Sequence, residues 1–420
     1  MNPFEHLPKK GTDLLVNWEQ LWPRSYDKRT VNPYTRARAI LMNGTEFENV
    51  WFSHQFQRQA QDNDLRRTLA LLRRSEQQQQ KAISHLKPVS ETPLEHTIGY
   101  EQLAVDLTAH LAKRVTDVGI RNALNFALLE DFDHLYRYAN YLDLTENVKA
   151  EELVGRYTEI MPGRPTIAHH RHPNDSVRFA VTNPGAPLFD TLASSVITAA
   201  EQQTMNYYMN LSATYPDETG RKLYEEIGMV EEQHVTQYGS LINPNHTWLE
   251  NLLLHQYTEC YLYWSCWETE TESHIKQFWD NLFQQELAHL HIACDLLNKY
   301  EKKQWQQILP DGSFPDSIRL TENIAYVREV LANTVTLTAQ KEHYTDVGDL
   351  PRESDFFAYQ ERVNQPVRDV VSHQVMEEAI RRNGTDYRFE TKENPIPALR
   401  DRKKDELDLG RVPEASFARV

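Results

Sequence analysis

The sequence is poor in the features that announce a function most directly. Only three cysteines occur, Cys260, Cys266 and Cys294. An odd, widely spaced set makes neither a disulfide framework nor a CxxC metal or redox motif, so buried thiols acting as small apolar side chains are expected. No apolar run approaches the roughly 20 residues of a membrane helix. The opening MNPFEHLPKKGTDLL lacks the apolar core of a signal peptide. A cytoplasmic protein with no membrane partner is therefore expected. Positive charge is in deficit, with 45 Lys and Arg against 61 Asp and Glu and a formal charge of −16. That balance argues against a nucleic-acid partner, which needs a basic footprint. Walker-type phosphate loops, nucleophile elbows and dinucleotide fingerprints are missing. Strict apolar–polar alternation is almost absent too, which removes the signal for strands.

What the chain does have is helical periodicity. With 420 residues, 40% hydrophobic and 10% aromatic, it can fill two or more packed domains. Apolar residues recur every three or four positions over long stretches, so an all-α fold is expected. Residues 1–44 carry Pro and aromatics without sustained periodicity and read as an irregular N-terminal arm. Four helices are expected near 45–61, 64–87, 93–115 and 117–143, with Asp64 and Thr92 as caps. Residues 144–186, broken by Pro, Gly and Asn, read as a linker or extended wrap. Four more helices are expected near 187–213, 218–241, 247–271 and 273–302. The region 303–420 offers a helical pair, about 319–341 and 355–383, then a charged, loosely ordered tail from Gly384. The architecture expected is two tandem four-helix bundles, 45–143 and 187–302, with a C-terminal helical extension and extended arms.

Two Glu-x-x-His pairs stand out, Glu231 with His234 and Glu286 with His289. Alone each pair is a weak signal; register strengthens it. Glu201, Glu231, Glu259 and Glu286 follow one another at intervals of 30, 28 and 27 residues. Given the fixed rise of a helix, those intervals place all four carboxylates in one layer of an up-down-up-down bundle. They also share stripes with apolar residues: Leu223, Ile227, Glu231, His234 and Tyr238 form one, Leu282, Glu286, His289, Ala293 and Leu296 another. Four carboxylates in a dry core are costly unless paired or bound to metal. Two divalent cations would balance them, each taking one imidazole. The expected ligands are Glu201, Glu231, His234, Glu259, Glu286 and His289, with Glu231 and Glu286 as bridges.

This pattern resembles the ferritin-like di-iron carboxylate proteins, rubrerythrin-type members especially. GMVEEQHVTQYGSLI and QELAHLHIACDLLNKYE are similar to their second and fourth helices, and the resemblance covers about residues 187–302. It implies two Fe ions, with two Mn or one of each as alternatives, and an oxidoreductase acting on dioxygen or peroxide. A small organic substrate, an external electron donor and a homodimer are further expectations. A short NPNHT turn stands where ferritin has a long crossover, and no rubredoxin-like cysteine module is present. A dimanganese catalase-like or peroxidase activity is the nearest alternative. A non-enzymatic metal-binding or scaffold protein is the alternative of another class.

The first four helices carry a faded version of the motif. Glu76, Glu101 and Asp131 are spaced by 25 and 30 residues, and Asp131-x-x-His134 takes the fourth place. Gln79 stands where a His is expected, and Glu48 or His54 would serve the first helix. A degenerate copy with an internally satisfied polar network is expected, an altered second metal site being the alternative. Tyr208 and Tyr263 lie near ligands on the same faces and are candidates to act on an oxygen intermediate or to line a substrate pocket with Trp residues. His169, His170 and His172 in AHHRHP are expected at the surface.

Overall fold

The computed structural model describes residues 1–183, 185–364 and 369–388. Helices α1 (Pro33–Gln59), α2 (Asn63–Ser84), α3 (Pro93–Arg114) and α4 (Val118–Glu146) come first, then short α5 (Ala150–Val154) and α6 (Thr166–His169). Next are α7 (Leu188–Thr214), α8 (Glu218–Gly239), α9 (Trp248–Thr269) and α10 (Ser273–Glu301). After α11 (Ile324–Thr334), strands β1 (Leu337–Gln340) and β2 (His343–Asp346) precede α12 (Asp355–Asn364) and α13 (Val371–Asn383). The fold is all-α apart from this one antiparallel hairpin among the described residues. No helix among them is long and apolar enough to cross a membrane.

Capping explains most helix starts. Thr92 and Thr247 each begin a capping box, with Glu95 and Glu250 returning the bond. Asp117 and Asp217 cap α4 and α8. For α2 the cap is Asp62, which accepts from Leu65 N at 2.8 Å; the expected Asp64 lies in the first turn and pairs with Arg67. Helix α1 starts well inside the expected arm because Asn32 caps it and Pro33 sits at its first position, where a missing N–H costs nothing.

The chain forms two compact units that do not follow its two halves. Unit 1 comprises Met1–Glu91, Val181–Gln203 and Ile242–Arg319. Unit 2 comprises Thr92–Ala180, Thr204–Leu241 and the chain from Leu320. The grouping thus differs from one bundle at 45–143 and another at 187–302. The hairpins α1–α2, α3–α4 and α9–α10 form as expected, but α1–α2 shares a unit with α9–α10, and α3–α4 with α8. Spacing along the chain sets a hairpin, whereas the choice of partner hairpin depends on long-range packing.

In unit 1, α1 packs on α2 and α9, and α10 on α9 and α2. Gly44 lets α1 approach the middle of α7: a Cβ there would sit 2.9 Å from Ala199 O and 2.8 Å from Gln203 Cβ. In unit 2, α4 packs on α3, α8, α11 and α13. Val327, Val330 and Leu331 of α11 join a core with Val105, Leu128, Phe132 and Met161.

The expected helix over 319–341 ends at Thr334 because Leu337–Gln340 pairs as strand with His343–Asp346, with Lys341 at φ 52° in the turn. Residues 144–180 are no loose linker: Arg164, His169, His170 and Arg171 are all buried in unit 2. Part of the expected tail is also fixed, since Arg388 forms a buried ion pair with Glu151 at 2.8 Å. The tail beyond Arg388 lies outside the described residues.

Candidate metal centre

In unit 2 three helices turn acids and imidazoles into one core. On α4, Asp131, His134 and Tyr138 share an inward stripe; on α8, Ile227, Glu231, His234 and Tyr238 do the same. Helix α3 contributes Glu101. Glu101, Asp131, His134, Glu231 and His234 are all fully buried. One ligand atom each from Glu101, Asp131, His134 and Glu231 lies within 4.8 Å of the others, a spacing that one cation can span. His134 Nδ1 is 2.9 Å from Glu231 Oε1. His234 Nδ1 is 3.1 Å from Glu231 Oε2 and 3.2 Å from Asp131 Oδ1. Glu231 thus stands between two imidazoles.

The two imidazoles have opposite electrostatics. Burial pushes His134 well below the ordinary imidazole range, and the charges of His234, Arg137 and His170 add to it. Burial acts the same way on His234, but the carboxylates of Asp131 and Glu231 overcome it and hold that ring protonated. A proton on His234 is positive charge among buried carboxylates, the demand a cation would also meet.

A built support surrounds His234. Its Nε2 lies 2.7 Å from Glu130 Oε2. Glu130 in turn accepts from Arg171 at 2.5 Å and Arg164 at 3.1 Å. Burial opposes its charge, yet Arg171, His234 and Arg164 hold the Glu130 carboxyl at about 2. Both guanidinium groups stack on Phe126, at 3.9 Å and 4.8 Å from its centroid. Beside them Gly163 N donates to Asp133 Oδ1 at 2.8 Å. Only a glycine allows this approach, because a Cβ would meet Leu129 O at 2.6 Å. Glu130 holds the Nε2 proton of His234, so the proton a bound cation would displace is the one on Nδ1, which faces Asp131 and Glu231.

Unit 1 has a parallel layout with different chemistry. Glu46, Glu76, Gln79, Glu259, Glu286 and His289 are buried there. Amides occupy the space among the acids. Asn49 Nδ2 donates to Glu76 at 3.0 Å and Glu259 at 2.5 Å. Gln256 Nε2 donates to the same two at 3.0 and 3.1 Å. Gln79 Nε2 donates to Glu286 Oε1 at 2.7 Å, and Tyr263 donates to Glu46. Burial raises Glu46 and Glu259 well above the carboxylate range, and the charges of neighbouring acids add to it. Burial also lifts Glu76 to about 7, against the opposing pull of His289. Among the described residues every acid and histidine group with ion-binding spacing contains Asp131 and Glu231; Glu46, Glu76, Glu259, Glu286 and His289 form none.

The six expected ligands therefore do not stand as one set. Glu231 and His234 are joined in unit 2 by Glu101, Asp131 and His134, three residues expected in the degenerate copy. Glu259, Glu286 and His289 lie in unit 1 with Glu76. Glu201 is fully buried on α7, three residues before that helix enters unit 2. Glu46 takes the place expected for Glu48 or His54, and His54 is exposed. Tyr208 donates to Glu101 at 2.5 Å in unit 2, while Tyr263 serves Glu46 in unit 1. The expected pocket lined by both is not what the described cleft on unit 2 offers. That cleft, about 590 Å³, runs along the other side of α8 beside Met229, Gln233, Tyr359 and Val371. His169 and His170 are buried, against expectation, because the arginine network folds their segment inward. Sequence reasoning missed Glu130, Arg164 and Arg171. The signal for Glu130 was an acid directly before Asp131; the arginines, 34 and 41 residues away from Glu130, gave none. Comparison with known proteins gives no match: no family model, no curated protein and no solved structure matches the chain.

Proposed function

We propose that unit 2 holds a pair of divalent metal ions and that the protein is an oxidoreductase acting with dioxygen or peroxide. The observation that carries this reading is the position of Glu231 between the Nδ1 atoms of His134 and His234, with Asp131 and Glu101 completing the group. Hard oxygen ligands with one imidazole per ion suit iron, and manganese equally. Glu101 and His134 would hold one ion and His234 the other, with Asp131 and Glu231 reaching both. Glu201, two helical turns before Tyr208 on α7, is a further carboxylate offered by the sequence.

A redox-active pair bound here supplies the electrons that reduce dioxygen or peroxide. The chain's own groups set the conditions. Glu130 keeps the proton of His234 on Nε2, leaving Nδ1 for coordination. Tyr208 holds its phenolic proton against Glu101 Oε1. Complete burial of the five side chains excludes bulk water and strengthens every charge interaction among them.

Elemental analysis tests the proposal directly. Protein purified without chelator, or loaded anaerobically with Fe(II), is expected to carry about two Fe or Mn per chain. Oxygen exposure of the Fe form should change its visible spectrum. No metal in either preparation overturns the reading and leaves a helical protein with two polar cores.

A further inference from the structure

Tyr208 is more than a partner of Glu101, because besides the fully buried rings of Tyr138 and Tyr224, at 5.3 and 5.5 Å, it touches a stack of rings that reaches solvent. Its ring centroid lies 6.2 Å from that of Tyr100 and 6.0 Å from that of Tyr207. Tyr100 and Tyr207 stack at 4.5 Å with planes 8° apart. His96 lies 5.3 Å from Tyr100 and 5.8 Å from Tyr207, each edge to face. Tyr208 and Tyr100 are buried, whereas Tyr207 is half-buried and donates to Pro93 O at an exposed position. Packing alone accounts for rings at these separations. It gives no reason for three phenols to lie in sequence between Glu101 and solvent, nor for the innermost phenol to meet a carboxylate able to take its proton.

We propose that Tyr208, Tyr100 and Tyr207 form a hole-transfer path through which the unit 2 site draws single electrons from a small one-electron reductant, of the ascorbate or phenol class, arriving at Tyr207. The inference rests on the metal reading above, since the oxidised metal pair is the electron acceptor. Tyr208 gives up one electron to that acceptor and one proton to Glu101 Oε1, becoming a neutral phenoxyl. An electron from Tyr100 or Tyr207 then refills Tyr208, and the proton returns to it from Glu101. The hole passes through Tyr207 only as the reductant meets it there, the proton of Tyr207 leaving to water. Ascorbate restores Tyr207 by giving one electron and one proton and leaves as the ascorbyl radical.

The path can be tested in the metal-free, full-length protein, so its failure stays distinct from failure of the metal reading. Photogenerated tris(bipyridyl)ruthenium(III) serves as the oxidant in solution, and electron paramagnetic resonance reads the tyrosyl radicals. A long-lived component that vanishes in Tyr208→Phe is expected. Its yield should fall several-fold in Tyr207→Phe, although Tyr207 is not where it resides, and stay unchanged in Tyr326→Phe. Phe keeps the ring stack and removes only the oxidisable hydroxyl, so near-ultraviolet circular dichroism controls for folding. A Tyr208 component that is indifferent to Tyr207→Phe, or no Tyr208-dependent component at all, overturns the proposal.

Discussion

Glu130 in unit 2 and Ser75 in unit 1 occupy corresponding places. Each directly precedes an inward acid, Asp131 or Glu76, on the second helix of its hairpin. Each meets Nε2 of a histidine from another hairpin: Glu130 meets His234 at 2.7 Å, Ser75 meets His289 at 2.9 Å. A carboxylate anchored by two arginines orients an imidazole and balances its charge. A serine hydroxyl, itself donating to Leu14 O at 2.6 Å, can accept from the ring but brings no charge to balance it. Three residues on, His134 in unit 2 corresponds to Gln79 in unit 1, whose amide donates to Glu286. One unit thus keeps Glu130 ionised beside a protonated His234. The other quiets its acids with protons and amide N–H groups. Cores with like acids can differ in function through the neighbours of those acids rather than the acids themselves.

The comparison breaks most cleanly on metal content. His134→Ala should abolish metal binding, while His289→Ala should leave it intact; elemental analysis of the two variants is sufficient. Equal loss in both, or loss only in His289→Ala, would reverse the assignment of the units.

pH separates the units next. Glu76 is raised from 4.5 to about 7 in the folded protein, so the folded state holds the proton more tightly than the unfolded chain. Its contribution is full below the unfolded value and is lost as pH rises through about 7. Glu46 and Glu259 are raised too and act in the same direction. Unit 1 should therefore loosen between pH 5 and 8, by up to ~1.4 kcal/mol per pH unit for each titrating group. Hydrogen exchange should show α9 and α10 losing protection while α3 and α4 keep theirs. Glu76→Gln, which cannot ionise, should blunt the trend.

The supporting residues sharpen the comparison further. Glu130→Gln should weaken metal affinity by roughly 10–100-fold, the usual cost of losing a carboxylate that orients a ligating histidine. Ser75→Ala should not change affinity. A metal titration on both variants decides it, and equal affinities would remove Glu130 from the site.

Much of this was legible in residue order, though only within hairpins. The Glu-x-x-His spacing and apolar stripes of α8 and α10 hold as read, and Asp131 with His134 was visible as a matching pair. Which hairpins meet was not legible, because Glu101 and Glu231 are brought together over 130 residues by packing that no local pattern encodes. Glu46 was passed over because a helix read as starting at 45 leaves it in the first turn, whereas the helix begins at Pro33 and places it in the middle. Arg164 and Arg171 lie in a segment whose Pro and Gly read as exposed loop, yet there Gly163 and the buried carboxylates hold the backbone inside.

The interleaved course of the chain has a consequence for synthesis. The α1–α2 hairpin, ending at Ser84, leaves the ribosome long before α10 is completed at Glu301. At about 5–20 residues per second, that gap of 217 residues (301 − 84) lasts roughly 10–40 s. Throughout that time Glu46 and Glu76 are solvated and ionised on a hairpin without its partner. Collapse of unit 1 then requires them to take up protons, so its rate of maturation should follow the acidity of the compartment in which the chain is made.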